Sequence, residues 1–120
     1  MKTTLSLGKS QANGVYSAYM AHPPVWLQGT LWSAKVQTMD MEKDKAYIIH
    51  QVLAYGTLAE MLWVLHTYSQ EVIRRVFTTV PYKDYRPARF SFIKNYFLGI
   101  QGIPMDERRY VKNIPRDIQS

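Results

Sequence analysis

Residues 40–100 carry a nearly continuous succession of helical hydrophobic patterns, interrupted only by short capping and turn signals. Within each pattern, apolar residues recur at the three- and four-residue spacings that place them on one face of an α-helix. Short amphipathic helices joined by tight turns bury their apolar faces by packing against one another. The sequence therefore predicts an all-α fold, a compact bundle of about four short helices with an irregular N-terminal arm and a C-terminal tail.

The first predicted helix follows Asp40 and ends at Gly56. The Asp40 carboxylate is expected to accept hydrogen bonds from the backbone N–H groups two or three residues later, as an N-cap does. Gly56 is expected to end the helix in the left-handed conformation, which glycine adopts without a Cβ penalty. The apolar stripe of this helix consists of Ile48, Ile49, Val52 and Leu53.

Thr57 and Glu60 predict the start of a second helix, because they have the spacing of a capping box. In this motif each side chain bonds the backbone N–H of the other residue. Turns as short as the one before Thr57 require the helices to pack as one compact unit. The predicted apolar stripe of the second helix consists of Leu58, Met61, Leu62 and Leu65.

Two further helices are predicted between Ser69 and Gly102. Ser69 is the expected third N-cap, and Pro87 suits the first turn of the fourth helix, where its missing N–H has no helical partner. Gly99 and Gly102 mark the expected end of the fourth helix. The third stripe consists of Val72, Ile73, Val76 and Phe77, and the fourth of Phe90, Ile93, Tyr96, Phe97 and Ile100.

By composition, the chain divides into an N-terminal arm over residues 1–22, a helical domain over residues 23–102 and a basic tail over residues 103–120. Pro23 and Pro24 stiffen the entry to the domain by fixing φ at both positions. The apolar residues that follow are expected to dock on the helices as lids over the core. They are Val25, Trp26, Leu27, Leu31 and Trp32.

Cysteine is absent from the chain, which excludes disulfides, thiolate metal sites and a cysteine nucleophile. The beginning of the sequence has no apolar run of signal-peptide length, and no stretch approaches the roughly 18 apolar residues that a membrane span needs. The apolar fraction of 47% and the charged fraction of 20% are typical of a folded domain. We therefore expect a cytoplasmic protein without a membrane segment.

The histidine and carboxylate residues form no recognisable catalytic pattern. His22, His50 and His66 are not paired at metal-ligand spacing, and no nearby carboxylate completes a triad with any of them. The sequence also lacks a glycine-rich loop of the kind that cradles phosphate groups. We interpret His50 and His66 as structural residues of the helices, and we expect no enzymatic activity, no metal site and no cofactor.

The net charge of +6 is concentrated in the C-terminal half, where ten basic and four acidic residues follow from Arg74 onward. Such asymmetry favours an acidic partner, either nucleic acid or an acidic protein surface. The alternative is a solvated helix face and tail that keep the protein in solution. The candidate nucleic-acid-binding residues are Lys83, Arg86, Arg89, Lys94, Arg108, Arg109, Lys112 and Arg116.

Residues 41–56, MEKDKAYIIHQVLAYG, resemble the opening of a small bacterial all-helical domain family of unknown function. The pairs Leu62-Trp63 and Thr67-Tyr68 and the closing segment 92–100, FIKNYFLGI, are also similar to it. Members of that family are often encoded beside nucleotidyltransferase toxins of the AbiEii type. The resemblance covers residues 31–100 and implies an antitoxin that neutralises such a toxin by forming a complex with it.

These observations predict a non-catalytic domain that binds a protein partner, without predicting its oligomeric state. Trp26, Trp32 and Tyr85 are the candidate exposed anchors, because aromatic residues dominate interface energetics. Arg86 and Arg89 are expected to face acidic residues of the partner. Two alternatives stay open, a nucleic-acid-binding module that uses the basic half and a structural subunit with no link to a toxin.

Overall fold

The computed structural model describes residues 21–112, and their regular structure is helical. The four α-helices are α1 (Lys45–Tyr55), α2 (Leu58–Tyr68), α3 (Gln70–Thr79) and α4 (Pro87–Phe92). Helix α4 continues into a π-helix over Ile93–Phe97, and short 3₁₀ turns lie at Val25–Leu27, Val36–Thr38 and Glu107–Arg109. Residues 21–112 contain no strand, only an isolated bridge between Tyr85 and Val111. The all-α prediction is confirmed, whereas most of the predicted N-terminal arm lies outside the described residues.

Helix α1 begins at Lys45, which is later in the sequence than an N-cap at Asp40 would place its start. The Asp40 carboxylate accepts from the backbone N–H groups of Glu42 at 2.9 Å and Lys43 at 2.6 Å. The bond from Lys43 is the main reason why the pKa of this carboxyl lies below its usual value. The expected hydrogen bonds are therefore present, but they close a separate turn just before the helix.

Gly56 ends helix α1, as predicted, but not in a left-handed conformation. Its φ of −77° and ψ of 166° are extended values that any residue adopts. Glycine is needed here for space, because a Cβ at this position would lie 2.6 Å from the carbonyl oxygen of Val52. That carbonyl accepts the Gly56 N–H at 2.7 Å, which fixes the close approach.

We expect Gly56→Ala to lower the free energy of unfolding by about 1–3 kcal/mol, since an added methyl group overpacks the turn. Gly29→Ala is the matched control, because a Cβ at Gly29 would meet no atom within 4 Å. Chemical denaturation of both variants measures the difference. Equal stability of the two variants would contradict the steric reason for Gly56.

Helix α2 starts with the predicted capping box. The Thr57 hydroxyl accepts from the Glu60 N–H at 3.1 Å, and the Glu60 carboxylate accepts from the Thr57 N–H at 3.0 Å. The predicted apolar stripe is confirmed for buried Met61 and half-buried Leu65 but wrong for Leu58 and Leu62, which are 60% and 40% exposed. The buried face instead consists of Met61, Val64 and Tyr68. Its orientation is fixed by Tyr68, whose buried hydroxyl donates to the carbonyl of Met41 at 2.7 Å.

Ser69 both ends α2 and begins α3, as its predicted capping role requires. Its N–H donates to Leu65, and its hydroxyl accepts from the Val72 N–H at 3.4 Å. This double function sets its φ to +75° and ψ to 151°, a region that non-glycine residues rarely occupy. The predicted third stripe is confirmed, with Ile73, Val76 and Phe77 buried and Val72 half-buried.

Pro87 occupies the first turn of α4, as predicted, and the helix then widens into the π-helical segment. The wider turns shift the residues that follow around the helix axis. Tyr96, which its spacing places on the apolar face, is instead 79% exposed, while Leu98 is fully buried. Gly99 ends the segment with a φ of +63°, where glycine avoids strain.

Residues 107–112 return to the helical domain and complete its core. The Tyr85 N–H donates to the carbonyl of Tyr110, and the Tyr85 carbonyl accepts from the N–H of Lys112, both at 2.9 Å. The buried Tyr110 also donates its hydroxyl to the carbonyl of Phe77 at 2.7 Å. Residues 107–112 of the basic tail are therefore held against α3 and the segment that precedes α4.

Candidate functional site

The segment of residues 25–34, which we call the tryptophan loop, presents two large aromatic side chains to solvent. Leu27 and Leu31 are fully buried and anchor the loop in the core, as the lid interpretation predicted. Trp26 and Trp32 do not share that burial, since they are 56% and 58% exposed. The loop therefore alternates between core anchors and indole rings that are available for contact.

Gln28 holds the tryptophan loop in one conformation. Its side-chain amide nitrogen donates to the carbonyls of Leu31 at 2.7 Å and Ala34 at 2.9 Å, and its amide oxygen accepts from the N–H of Val36 at 3.0 Å. These three bonds from one side chain add to the backbone hydrogen bonds of the turn, such as the one from the Leu31 N–H to the Leu27 carbonyl at 2.9 Å. The loop is thus a fixed structure with little freedom left to lose on binding.

Thr30 ties the tryptophan loop to both of the helices beneath it. Its carbonyl accepts from the Gln51 side chain of α1 at 3.0 Å, and its hydroxyl donates to the Glu60 carboxylate of α2 at 2.7 Å. Because Glu60 is also part of the α2 capping box, the same carboxylate joins the loop to the start of that helix. The loop therefore straddles α1 and α2.

Each exposed indole rests on an aromatic ring of a different helix. Trp26 meets Trp63 of α2 edge to face, with ring centroids 6.0 Å apart and an interplanar angle of 82°. Trp32 lies against Tyr55 of α1, with centroids 4.9 Å apart and an angle of 59°. Aromatic pairs of this geometry fix ring orientation, so that both indoles are preorganised for an incoming surface.

A buried polar network supports the loop from behind. The Nε2 of His50 lies 2.6 Å from the carbonyl of Val80, which can only accept, so this nitrogen carries the proton. The neutral ring then uses Nδ1 to accept from the Tyr85 hydroxyl at 2.7 Å. The Tyr82 ring stacks on the His50 ring, with ring centroids 4.9 Å apart. The Tyr82 hydroxyl donates to the Gln51 amide oxygen at 2.5 Å. His50 is thus packed as a structural residue, and burial lowers its pKa to about 4.

The structure corrects the expectation that Tyr85 is an exposed partner-binding anchor. Its side chain is fully buried, forms the hydrogen bond to His50 and packs edge to face on Phe77 at 5.7 Å. Burial also raises the pKa of its hydroxyl well above the usual value. No local pattern indicates this role, because Tyr85 follows charged residues in an irregular link.

Arg89 is not free to meet a partner, which corrects its assignment to both predicted binding sets. Its guanidinium donates to the carbonyl of Leu53 at 2.6 Å and to that of Gly56 at 3.0 Å, at the end of α1. These bonds satisfy helix carbonyls that lack an intrahelical partner. Arg86, in contrast, is exposed at the start of α4.

We expect Arg89→Ala to lower the free energy of unfolding by about 2–3 kcal/mol, since charged hydrogen bonds to two part-buried carbonyls are lost. Arg86→Ala, which removes the same charge from an exposed position, should change the stability by less than about 0.5 kcal/mol. Denaturant unfolding of the two variants compares them directly. A similar loss in both would contradict the distinction between the two arginines.

The predicted nucleic-acid-binding residues are only partly brought together. The bridge between Tyr85 and Val111 places Arg86 beside Lys112, both exposed, and exposed Lys83 lies two residues before the bridge in sequence. Two of the basic residues pair with carboxylates, Arg108 with Asp106 at 3.1 Å and Lys112 with Asp84 at 3.6 Å. Arg109 is exposed, Lys94 lies half-buried on the π-helix, and Arg116 lies outside the described residues. The acidic neighbours therefore reduce the positive charge of this surface.

Residues 21–112 contain no group of three or more His, Asp or Glu side chains that could hold a metal ion. Across the same residues, no helix combines the length and apolar character that a transmembrane helix requires. His66 is exposed on α2, and His22 is half-buried beside Pro23.

Residues 26–77 of the chain match the model of a family of unknown function, DUF6922. The matched region begins at the first exposed tryptophan and ends in α3, so it includes the tryptophan loop and the two helices that support it. No curated protein and no solved structure shows significant similarity to the chain. The chain is thus similar to an uncharacterised family over this region.

Proposed function

We propose that this chain is a non-catalytic protein-binding module and that the tryptophan loop is its contact surface. The observation that carries the proposal is the pair of indoles, each more than half exposed and each held on an aromatic ring. Tryptophan is among the residues that contribute most to protein interfaces. A rigid loop loses little conformational entropy on binding, so more of the contact energy appears as affinity.

The finer proposal is that the partner is a nucleotidyltransferase toxin, which the chain neutralises in the cytoplasm by forming a complex. Its support is the resemblance of residues 31–100 to a family often encoded beside such toxins, and the absence of cysteine agrees with a reducing compartment. In this proposal, neutralisation results from covering the surface of the toxin. It requires no chemistry from the chain itself.

A second candidate function is nucleic-acid binding through the basic half of the chain. The observation in its favour is the pair of exposed basic residues at the Tyr85–Val111 bridge, Arg86 and Lys112, with exposed Lys83 two residues before the bridge in sequence. Phosphate contacts release counterions, so this kind of binding weakens steeply as salt rises. An interface with an apolar centre loses less affinity under the same change.

Co-expression with the protein encoded beside it, followed by tagged purification in high salt, tests the proposed function. We expect a stoichiometric complex that survives the salt wash, together with rescue of growth if the neighbouring protein is toxic. Absence of a complex, combined with salt-sensitive retention on a nucleic-acid column, would favour the second candidate. The tagged Trp26→Ala/Trp32→Ala variant, purified in the same way, tests whether the tryptophan loop makes the contact.

A further inference from the structure

The Trp32 end of the tryptophan loop adjoins a positively charged side chain. The Lys112 ammonium lies 5.4 Å from the centroid of the Tyr55 ring, and Trp32 packs on the same ring. A hydrogen bond with Tyr55 raises the pKa of Lys112, and the ammonium also pairs with the Asp84 carboxylate at 3.6 Å. A contact that engages the exposed indole therefore meets a fixed cation beside it.

Arg86 lies next to Lys112 because of the backbone register. The Tyr85 N–H donates to Tyr110, and the Tyr85 carbonyl accepts from the Lys112 N–H, so residue 86 follows the bridge on the side of residue 112. Arg86 is exposed, and within residues 21–112 no carboxylate forms an ion pair with it. Asp84 pairs with Lys112 at 3.6 Å and compensates part of the charge. A net positive surface therefore borders the indole.

We propose that the partner contacts this end of the loop with an acidic protein surface, whose carboxylates meet Arg86 and Lys112 while an apolar pocket takes Trp32. This inference rests on the proposed function and adds the chemistry of the partner to it. The arginine offers a planar fork that binds a carboxylate through two hydrogen bonds. Complementary charge at the edge of an interface speeds association and selects among partners.

Two carboxylates make a protein surface the better fit than a polynucleotide. Asp84 lies beside Lys112, and the Glu60 carboxylate of α2 lies beneath the loop, where it accepts from the Thr30 hydroxyl. A phosphate backbone that passes both tryptophans would run close to these negative charges and be repelled. A folded protein can place its carboxylates at Arg86 and Lys112 alone. The charge pattern thus favours a discrete acidic patch.

The charge reversal Arg86→Glu/Lys112→Glu tests the inference with the partner retained by co-purification. We expect the complex to weaken by about tenfold or more at low salt, mainly through slower association, with a smaller difference at high salt. Lys43→Glu/Arg75→Glu is the control, because it makes the same change in net charge at exposed positions elsewhere. Circular dichroism melting checks that both variants fold, and surface plasmon resonance measures the rates.

The outcomes separate the inference from the function on which it rests. Suppose that Arg86→Glu/Lys112→Glu binds like the control while Trp26→Ala/Trp32→Ala weakens the complex. The proposal of an acidic partner surface is then wrong, and the protein-binding function stands. If the wild-type chain forms no complex, both fail. If a single-stranded oligonucleotide binds the wild type and competes with the protein, and the reversal abolishes its binding, the surface recognises nucleic acid instead.

Discussion

Lowering the pH from 7 to 4 is expected to remove about 3 kcal/mol of the free energy of unfolding through His50 alone. The folded protein holds this imidazole neutral because burial lowers its pKa to about 4, whereas the unfolded chain has the ordinary value near 6.5. Protonation would also give Nδ1 a hydrogen directed at the Tyr85 hydroxyl, which now donates to it. The titratable groups in ring contact with His50 are Tyr82, Tyr85 and Tyr110, which stay neutral over this range.

The direction of the effect follows from proton binding. Between pH 6.5 and about 4 the unfolded chain takes up a proton on His50 that the folded protein does not, so acid favours unfolding. The stabilisation by neutral His50 is complete above the pKa that its imidazole has in the unfolded chain, near 6.5. It is lost as the pH falls towards the pKa in the folded protein, about 4. Below about pH 4 both states carry the proton, and the contribution of His50 becomes constant.

Urea unfolding at a series of pH values measures this loss, and His66→Gln is the matched control because His66 is exposed. The control should keep the pH dependence of the wild type, while His50→Gln should lack most of it. If His50→Gln does not fold, nuclear magnetic resonance titration of the His50 ring in the wild type gives its pKa directly. A His50 pKa near 6.5 would contradict the buried neutral network.

Replacing both exposed tryptophans, in Trp26→Ala/Trp32→Ala, is expected to weaken the protein complex by about 2–4 kcal/mol or more. The change corresponds to a loss in affinity of roughly 30-fold to 1,000-fold. Each indole supplies a large apolar surface in a fixed orientation, so its removal loses contact area and the benefit of preorganisation together. Isothermal titration calorimetry with the purified partner measures the loss.

The matched control for the double variant is Tyr96→Ala, which removes an aromatic ring that is 79% exposed on the π-helix. It should bind like the wild type. The double variant itself should stay folded, since Leu27 and Leu31 still anchor the loop and Gln28 still fixes it. Equal loss of affinity in Tyr96→Ala and the double variant would contradict a localised tryptophan surface.

Local capping chemistry made much of the fold predictable from the sequence. Thr57 with Glu60, Ser69 and Pro87 each mark a helix start that the structure shows, because these residues satisfy or avoid free backbone donors within one turn. Asp40 shows the limit of such reasoning, since its hydrogen bonds form but close a separate turn. Because a capping residue bonds groups that are close to it in sequence, a cap can be predicted from the sequence alone.

The orientation of helices and the roles of long polar side chains were not predictable in the same way. Leu58 and Leu62 have helical spacing, yet packing around Tyr68 turns them outward. Arg89 bonds carbonyls more than thirty residues away, and Tyr85 joins a histidine at a similar distance in sequence. These arrangements depend on contacts between residues far apart in sequence, which the spacing of neighbouring residues does not reveal. For Trp26 and Trp32, the sequence was compatible with two roles, a lid over the core and an exposed anchor, and their exposure in the structure agrees with the second.

Hydrogen exchange of the wild-type complex, followed by mass spectrometry, tests the central claim most directly because it requires no substitution. On binding the partner, we predict added protection of the amides in residues 25–34, which form the tryptophan loop, and in residues 84–86 and 110–112 beside it. The amides of the π-helix around Tyr96 should exchange as in the free chain. Protection confined to the π-helix, with no change in the tryptophan loop, would contradict the account.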